Sequence, residues 1–284
     1  MIATGLLMLK LLTMPTEFLR LVPHALRGLV DTLAARDRLR LSLAGGVVLA
    51  LASIAAFALH NVVLDHTRTA RTARAASLLA APDEVVLYVH PGLRNTSFVE
   101  PLACALRQIL VAPVSIRELA IPLGPELAAT PGALDASKVA EKFVGATAAD
   151  GSAHTFKYLL MQNDLWEAQR YVYAKALEDG TRRDHGGLLS TVRLEEADAD
   201  SLRNADVTAQ RASKIMLWMI LRGAGYTNAQ GCVLGFHDGK PADIDATSGA
   251  FCEWDRTVLV AARIIRADAG SNCPNLAQTA RKAD

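Results

Sequence analysis

Residues 211–255 decide the fold that this sequence predicts; they read RASKIMLWMILRGAGYTNAQGCVLGFHDGKPADIDATSGAFCEWD. The first part is strongly apolar and predicts a helix over residues 207–222 that is buried on every side. Gly223 and Gly225 follow it, and glycine commonly adopts the backbone conformation that ends a helix. Two cysteines, Cys232 and Cys252, lie in the segments beyond.

Composition limits the class of protein. A chain of 284 residues has room for one domain of ordinary size and an appendage. Its 30 basic residues nearly balance its 29 acidic residues, so bulk charge predicts no nucleic-acid partner. Hydrophobic residues make up 51% of the chain, which indicates association with a membrane.

The segment 41–64 contains no charged residue and lies between Arg40 and Asp65. Roughly 20 apolar residues in a helix cross the hydrocarbon core of a bilayer, so we predict a transmembrane helix here. The alternative is a signal peptide, because residues 73–75 resemble a cleavage site of small residues.

Residues 16–35 place apolar side chains at helical spacing, which predicts an amphipathic helix that lies on a membrane or on a partner protein. The predicted division is therefore an amphipathic segment 1–40, the span 41–64, a linker 65–82 and a domain 83–284. Six basic residues precede the span and favour a cytoplasmic N-terminus, although Arg68, Arg71 and Arg74 follow it. This orientation predicts a single-pass membrane protein whose domain is extracytoplasmic, in the periplasm.

The predicted domain alternates strands with helices, which indicates an α/β fold with a mixed sheet and packed helices. Strands are expected at residues 84–89, 114–121, 156–161, 171–176 and 188–194, and helices at residues 98–110, 135–148, 207–222 and 252–266. Asp135 or Ser137 is expected to cap the second of these helices.

Several short patterns occur in an order that is informative as a whole. They are Asp164-Leu165, Tyr171-Val172-Tyr173, Ser190 with Arg193-Leu194, Arg211 with Lys214, Gly223, Cys232-Val233-Leu234, Asp245 and Phe251-Cys252. In this order the chain resembles the archaemetzincins, a metzincin-like family of zinc metallopeptidases. The resemblance covers about residues 84–266 and implies a metzincin-like domain.

The resemblance also assigns residues of this chain to the positions that bind zinc in the family. Met216, Ile220 and Tyr226 stand at its three histidine positions, Leu217 stands at its glutamate, and Gly223 matches its turn glycine. Thr227 and Asp255 stand where the family has the first and last cysteines of a structural zinc site. Met and Ile side chains are not ligands for zinc, and Leu cannot transfer a proton. We therefore expect no catalytic residue, no metal and no cofactor, and a pseudopeptidase rather than an enzyme.

The alternative is a core helix without this ancestry. If the resemblance holds, the geometry of the structural zinc site implies that Cys232 pairs with Cys252, which leaves Cys104 with Cys273. Four reduced cysteines in a cytoplasmic domain are the other interpretation.

These observations predict a membrane-anchored binding or scaffold protein whose partner is a protein or peptide. The predicted edge strand, with Tyr171, Val172 and Tyr173, would pair with an extended peptide. One alternative is an accessory subunit of a membrane protein complex. Another is an active zinc-dependent peptidase whose ligands have moved to other positions.

Overall fold

The computed structural model describes residues 38–177, 185–195, 201–227, 241–246 and 251–268. The amphipathic segment predicted for residues 16–35 lies outside these ranges. The chain divides into two compact units, Met1–Thr69 and Ala70–Asp284.

Helix α1 (Arg38–Ala76) contains the apolar segment predicted to cross a membrane. Within the part of the chain that the structure describes, one helix is long and apolar enough for a span, over Gly46–Ala76. Its apolar side chains are exposed, for example Leu49 at 70% and Phe57 at 68%. The linker predicted after the span is helical as far as Ala76.

The second unit contains the predicted α/β domain. In chain order, its described elements are β1 (Glu84–Val89), α2 (Val99–Ile109), β2 (Val114–Glu118), β3 (Ala128–Thr130), β4 (Ala133–Asp135), α3 (Ala136–Thr147), β5 (Thr155–Met161), β6 (Asp164–Glu167), β7 (Arg170–Val172), β8 (Ala174–Ala176), β9 (Gly186–Ser190), α4 (Ser201–Gly223), α5 (Pro241–Ala246) and α6 (Glu253–Ala261).

Among these strands, β2, β1, β5, β9 and β8 form the main sheet in that order. The first four are parallel, and β8 pairs antiparallel with β9 at the edge. Strands β1 and β5 are apolar on both faces because helices cover both sides of the sheet, as in parallel sheets generally. One core cluster packs α2 and α4 on one face, and a second packs α3 on the other.

A second sheet joins the short strands β3, β4, β6 and β7 in that order. Strand β4 leads directly into α3, whose N-terminus is capped by Asp135. The Asp135 carboxylate accepts hydrogen bonds from the backbone N–H groups of Ser137, at 2.9 Å, and Lys138, at 3.2 Å. These bonds satisfy N–H groups that have no partner within the helix, and the predicted cap at Asp135 is confirmed.

The predicted fold class is confirmed, since mixed sheets pack against helices in the described domain. The single strand predicted over residues 171–176 is wrong. It is interrupted at Tyr173, so that β7 pairs with β6 in the second sheet and β8 pairs with β9 in the main sheet. The predicted strand 188–194 lies earlier, because β9 begins at Gly186 and ends at Ser190.

Candidate functional site

The three helix positions singled out in the sequence face the protein core. Met216 and Ile220 are fully buried, and Leu217 is 2% exposed. All three belong to the cluster between α4, α2 and the main sheet. Met219 on the next turn lies so close to β9 that a Cβ atom on Gly187 would be 2.8 Å from its sulfur. This close packing explains why the helix is apolar on several faces.

The end of α4 favours glycine at two positions. A Cβ atom at Gly223 would lie 3.2 Å from the Phe156 ring, which the helix approaches closely. Gly225 has φ +91°, a left-handed conformation that favours glycine. The N–H of Tyr226 then donates to the carbonyl of Leu221, a bond typical of a helix C-terminus. The predicted helix end at Gly223 and Gly225 is confirmed.

Two positions assigned to different zinc sites by the resemblance contact each other. The hydroxyl of Tyr226 donates a hydrogen bond to Oδ1 of Asp255, and Tyr226 is 8% and Asp255 2% exposed. Asp255 lies in the first turn of α6, where a carboxylate interacts favourably with the helix dipole. Tyr226 and Asp255 thus link the end of α4 to the start of α6.

Helix α4 also holds α5 through two cations. Nε and Nη2 of Arg211 donate to both carboxylate oxygens of Asp245, at 2.9 and 2.6 Å. This hydrogen-bonded pairing with Arg211 lowers the pKa of Asp245. Nζ of Lys214 donates to the carbonyl of Ile244 at 2.8 Å, and burial lowers the pKa of this ammonium group. Arg211 and Lys214 therefore fix the C-terminal end of α5.

Zinc is the metal that the resemblance implies, and the residues at the corresponding positions do not fit it. Met216 offers a buried thioether, Ile220 offers no donor atom, and the Tyr226 hydroxyl is engaged with Asp255. Zinc sites in proteins use thiolate, imidazole and carboxylate ligands. Within the described residues, no group of three or more His, Cys, Asp or Glu side chains could hold a metal ion.

A groove of about 910 Å³ lies beside the edge strand β8. Helix α3 forms one wall and α4 contributes to the other through Trp218 and Arg222. None of Met216, Ile220 and Tyr226 lines it. The lining residues are Ser137, Ala140, Glu141, Val144, Gly145, Glu167, Arg170, Val172, Ala174, Lys175, Ala176, Leu177, Trp218 and Arg222.

Strand β8 directs backbone groups toward this groove. The N–H of Leu177 donates to the carbonyl of Gly186, and the N–H of Ser190 donates to the carbonyl of Tyr173. Leu177–Gly186 and Tyr173–Ser190 are therefore hydrogen-bonded pairs of the β8–β9 ladder. Hydrogen-bonded pairs alternate with non-bonded pairs in an antiparallel ladder. Ala174 and Ala176 are in the non-bonded pairs, so their N–H and C=O groups point away from β9.

Charged side chains surround the groove. Arg170, Lys175 and Arg222 contribute cations, and Glu141 and Glu167 contribute carboxylates. Lys175 on β8 forms an ion pair with Glu167, the last residue of β6. The guanidinium of Arg222 lies 5.4 Å from the ring centroid of Trp218, which places a cation against an aromatic face. Among the lining residues that the structure describes, three are cationic and two are anionic.

Of the residues predicted to pair with a peptide, Val172 is the one among the groove's lining. Tyr171 instead belongs to an aromatic cluster, with its ring centroid 4.8 Å from that of Trp166 and 3.9 Å from the guanidinium carbon of Arg193. Arg193 also binds Asp164 through two hydrogen bonds, which raise the pKa of its guanidinium. Tyr173 is half-buried, and burial raises the pKa of its hydroxyl.

Sequence reasoning missed Trp218 and Arg222 in this groove, whereas Ala174–Ala176 belonged to the edge strand predicted over residues 171–176 and lie at the sheet edge. Trp218 and Arg222 are spaced i, i+4 on α4, so their placement on one helix face was available from the sequence. Their position opposite α3 depends on contacts between distant parts of the chain.

The predicted disulfides fall partly outside the described residues. Cys104 on α2 and Cys252 before α6 are described, and neither is a free thiol. Their predicted partners, Cys273 and Cys232, lie outside the described ranges. The pairing Cys232–Cys252 and Cys104–Cys273 stays a prediction.

The fold is similar to that of two solved structures. A zinc-dependent peptidase from Methanocorpusculum labreanum is 19% identical, with a TM-score of 0.48 over 62% of this chain and 99% of that chain. Archaemetzincin from Methanopyrus kandleri is 16% identical, with a TM-score of 0.47 over 63% of this chain and 94% of that chain. At these identities the similarity concerns the fold alone. No protein-family model and no curated protein matches the chain.

The comparison contradicts the prediction that the chain is not an enzyme, because a chain of similar fold is a zinc-dependent peptidase. That prediction considered one set of positions on α4 and the loops that follow. Buried residues at those positions do not exclude chemistry by other side chains. The absence of ligands at Met216, Ile220 and Tyr226 was therefore too narrow a basis for it.

Proposed function

We propose that this chain is a membrane-anchored protein whose domain binds an extended peptide segment along β8. The observation that carries this proposal is the groove beside β8, into which the backbone groups of Ala174 and Ala176 point. An extended chain can satisfy such groups by adding a strand to the sheet. A peptidase and a binding module must both bind a peptide, so peptide binding along β8 is compatible with either.

The walls of the groove suggest what kind of peptide it takes. Trp218 and Val144 offer apolar surface to alternate side chains of an added strand, whose side chains point to opposite faces. Among the described lining residues, Arg170, Lys175 and Arg222 outnumber Glu141 and Glu167, which favours a peptide with carboxylate side chains.

The test uses the full chain in lipid nanodiscs and a displayed library of random ten-residue peptides. Selected peptides are expected to be rich in Asp or Glu and to compete with one another for one site. Their dissociation constants are then measured for the wild type and for Ala176→Pro. Proline removes the N–H group that points into the groove, while leaving the bonds of Lys175 and Leu177 to β9 in place.

Ala176→Pro is expected to weaken binding about tenfold, the effect of one lost hydrogen bond at the upper end of its range. Ala176→Val is the matched control, because it keeps the N–H group and suits a strand. Equal affinity in Ala176→Pro and the wild type, with both variants folded, would refute pairing along β8. Mass spectrometry of the recovered peptide reports separately whether it has been cut.

The proposed anchor is the apolar part of α1, with the domain outside the cytoplasm. Its exposed apolar side chains, such as Leu51 at 52% and Ile54 at 64%, would be covered by lipid. Protease added to intact spheroplasts of a Gram-negative host should digest the domain and leave a membrane-protected fragment. Protection of the whole domain until the cells are lysed would reverse the proposed orientation.

A further inference from the structure

Two arginines at the end of α1 have no part in the peptide groove. Arg71 and Arg74 are both exposed, and neither forms an ion pair with another residue that the structure describes. From residue 66 to residue 82 the sequence has three arginines and no acidic residue. This segment therefore carries positive charge and no negative charge close to the end of the apolar run.

An adjacent face of this helix segment packs against the domain. Thr72 and Ala76 are both only 9% exposed, and Ala75 packs against the core cluster. Just beyond the helix, the N–H of Ala80 donates to the carbonyl of Ala224 at 2.9 Å. Because these contacts fix the rotation of the segment, Arg71 and Arg74 are held on its outer side.

An exposed apolar side chain accompanies the two arginines. Leu78 is 71% exposed and follows Arg74 by four positions. Cationic side chains beside an apolar one are typical of surfaces that lie in the interface of a membrane. Arginine presents several N–H donors in a planar fork, which suits the phosphate group of a lipid.

The chain also brings these residues near a bilayer if the apolar run crosses it. The run ends at Leu64, and Arg71 follows it by seven positions in the same helix. A position seven residues beyond a membrane span is juxtamembrane, the region in which a cation is attracted by the surface potential of an anionic leaflet.

We propose that Arg71 and Arg74 bind the headgroups of anionic phospholipids on the side of the membrane that carries the domain. This proposal rests on the membrane anchor proposed above and is independent of peptide binding. The lipid contact would orient the domain at the membrane surface, because the arginines are on a face fixed relative to the core. Phosphatidylglycerol has the required chemistry, a single negative phosphodiester.

The test is native mass spectrometry of the full chain released from detergent with mixed phosphatidylglycerol and phosphatidylcholine. The wild type is expected to retain phosphatidylglycerol preferentially. Arg71→Gln with Arg74→Gln should reduce this preference by about 10- to 30-fold, the effect expected of two cations near a charged surface. The control is Arg94→Gln with Arg263→Gln, which removes two exposed arginines elsewhere.

Three results would overturn the proposal. They are an unchanged lipid preference in the Arg71 and Arg74 variant, an equal loss in the control, and displacement of the lipid by millimolar inorganic phosphate. If the glutamine variant does not fold, Arg71→Lys with Arg74→Lys should keep most of the preference because it keeps the charge. The selected peptide should bind all variants with the wild-type affinity, which separates failure of this proposal from failure of the peptide groove.

Discussion

The hydroxyl of Tyr226 and the carboxylate of Asp255 lie 2.5 Å apart in a site almost closed to solvent. The bond joins the end of α4 to the first turn of α6, two elements separated by a long segment of chain. A hydrogen bond to a carboxylate is stronger than one between neutral groups, and in a buried site its loss leaves a polar group without water to replace the partner. This contact is therefore a stabilising link between the two helices.

Tyr226→Phe removes the donor and keeps the ring. We expect the free energy of unfolding to fall by about 1–3 kcal/mol, because Asp255 loses a hydrogen bond in a buried site. Denaturant titration measures this loss. Combining Tyr226→Phe with Asp255→Asn in a double-mutant cycle should show an interaction energy, and strictly additive effects would mean that the two groups are not coupled.

Gly187 lies where α4 approaches the main sheet. A Cβ atom there would be 2.8 Å from the Lys175 carbonyl oxygen and 2.8 Å from the Met219 sulfur. Gly187→Ala should therefore destabilise the domain by about 1–3 kcal/mol through overpacking. The thermal midpoint reports this loss. Gly132→Ala is not a suitable control because its φ is +86°, whereas Gly145→Ala on α3 meets nothing within 4 Å and should be tolerated.

Asp245 gives the domain a defined acid sensitivity. Its pKa is lowered in the folded state by Arg211, so its contribution is fully present above the unfolded pKa of about 4 and is lost as the pH falls through the folded pKa. The contribution is about a few tenths of a kcal/mol, because the Asp245 side chain is 49% exposed. Arg211→Gln should lower the free energy of unfolding at pH 7, and the pH-dependent part of this difference should disappear as the pH falls through the lowered pKa of Asp245. An identical pH profile for both proteins would contradict the pairing.

Substitution of Trp218 tests the contribution of the groove's apolar wall to peptide binding without changing the edge strand. Trp218→Ala should weaken the selected peptide by about tenfold, as large buried aromatic contacts often do at interfaces. Trp254→Ala is the matched control, because Trp254 is 41% exposed and is not among the groove's lining residues. Isothermal titration measures both affinities, and equal losses in the two variants would place the binding site elsewhere.

The cysteines can be assigned by peptide mapping without reduction. We expect two linked peptides, one joining Cys232 to Cys252 and the other joining Cys104 to Cys273. Alkylation of all four thiols in the folded protein would exclude both bonds. Each bond closes a loop and should raise the free energy of unfolding by about 2–4 kcal/mol.

The long elements of this fold were predictable because each has a pattern that depends on neighbouring residues. The apolar run of β1 and the glycine end of α4 are local signals. The break at Tyr173 was not predictable, because β7 and β8 are three residues each and their partners are set by contacts between sheets. Strand β2 ends at Glu118, three residues before the predicted end, since Ile121 packs into the core cluster beside α3 instead.

The candidate site also has one feature that local sequence predicts and one that depends on distant contacts. The burial of Met216 and Ile220 follows from an apolar helix, so the sequence was sufficient for it. The groove was not predictable, because it is formed where α3, β8 and α4 meet, and these elements are far apart in the chain. The sequence places Trp218 and Arg222 on one face of α4, but it does not indicate what that face contacts.

Tyr173 lies between two strands that belong to different sheets. Val172 on one side and Ala174 on the other both line the groove, while the Tyr173 carbonyl accepts a hydrogen bond from Ser190. Any widening of the groove that separates β7 from β8 must be accommodated by the backbone torsions of this one residue. Tyr173 is therefore the point at which the domain would flex to admit a thicker chain, and its stiffness would limit the peptides that enter.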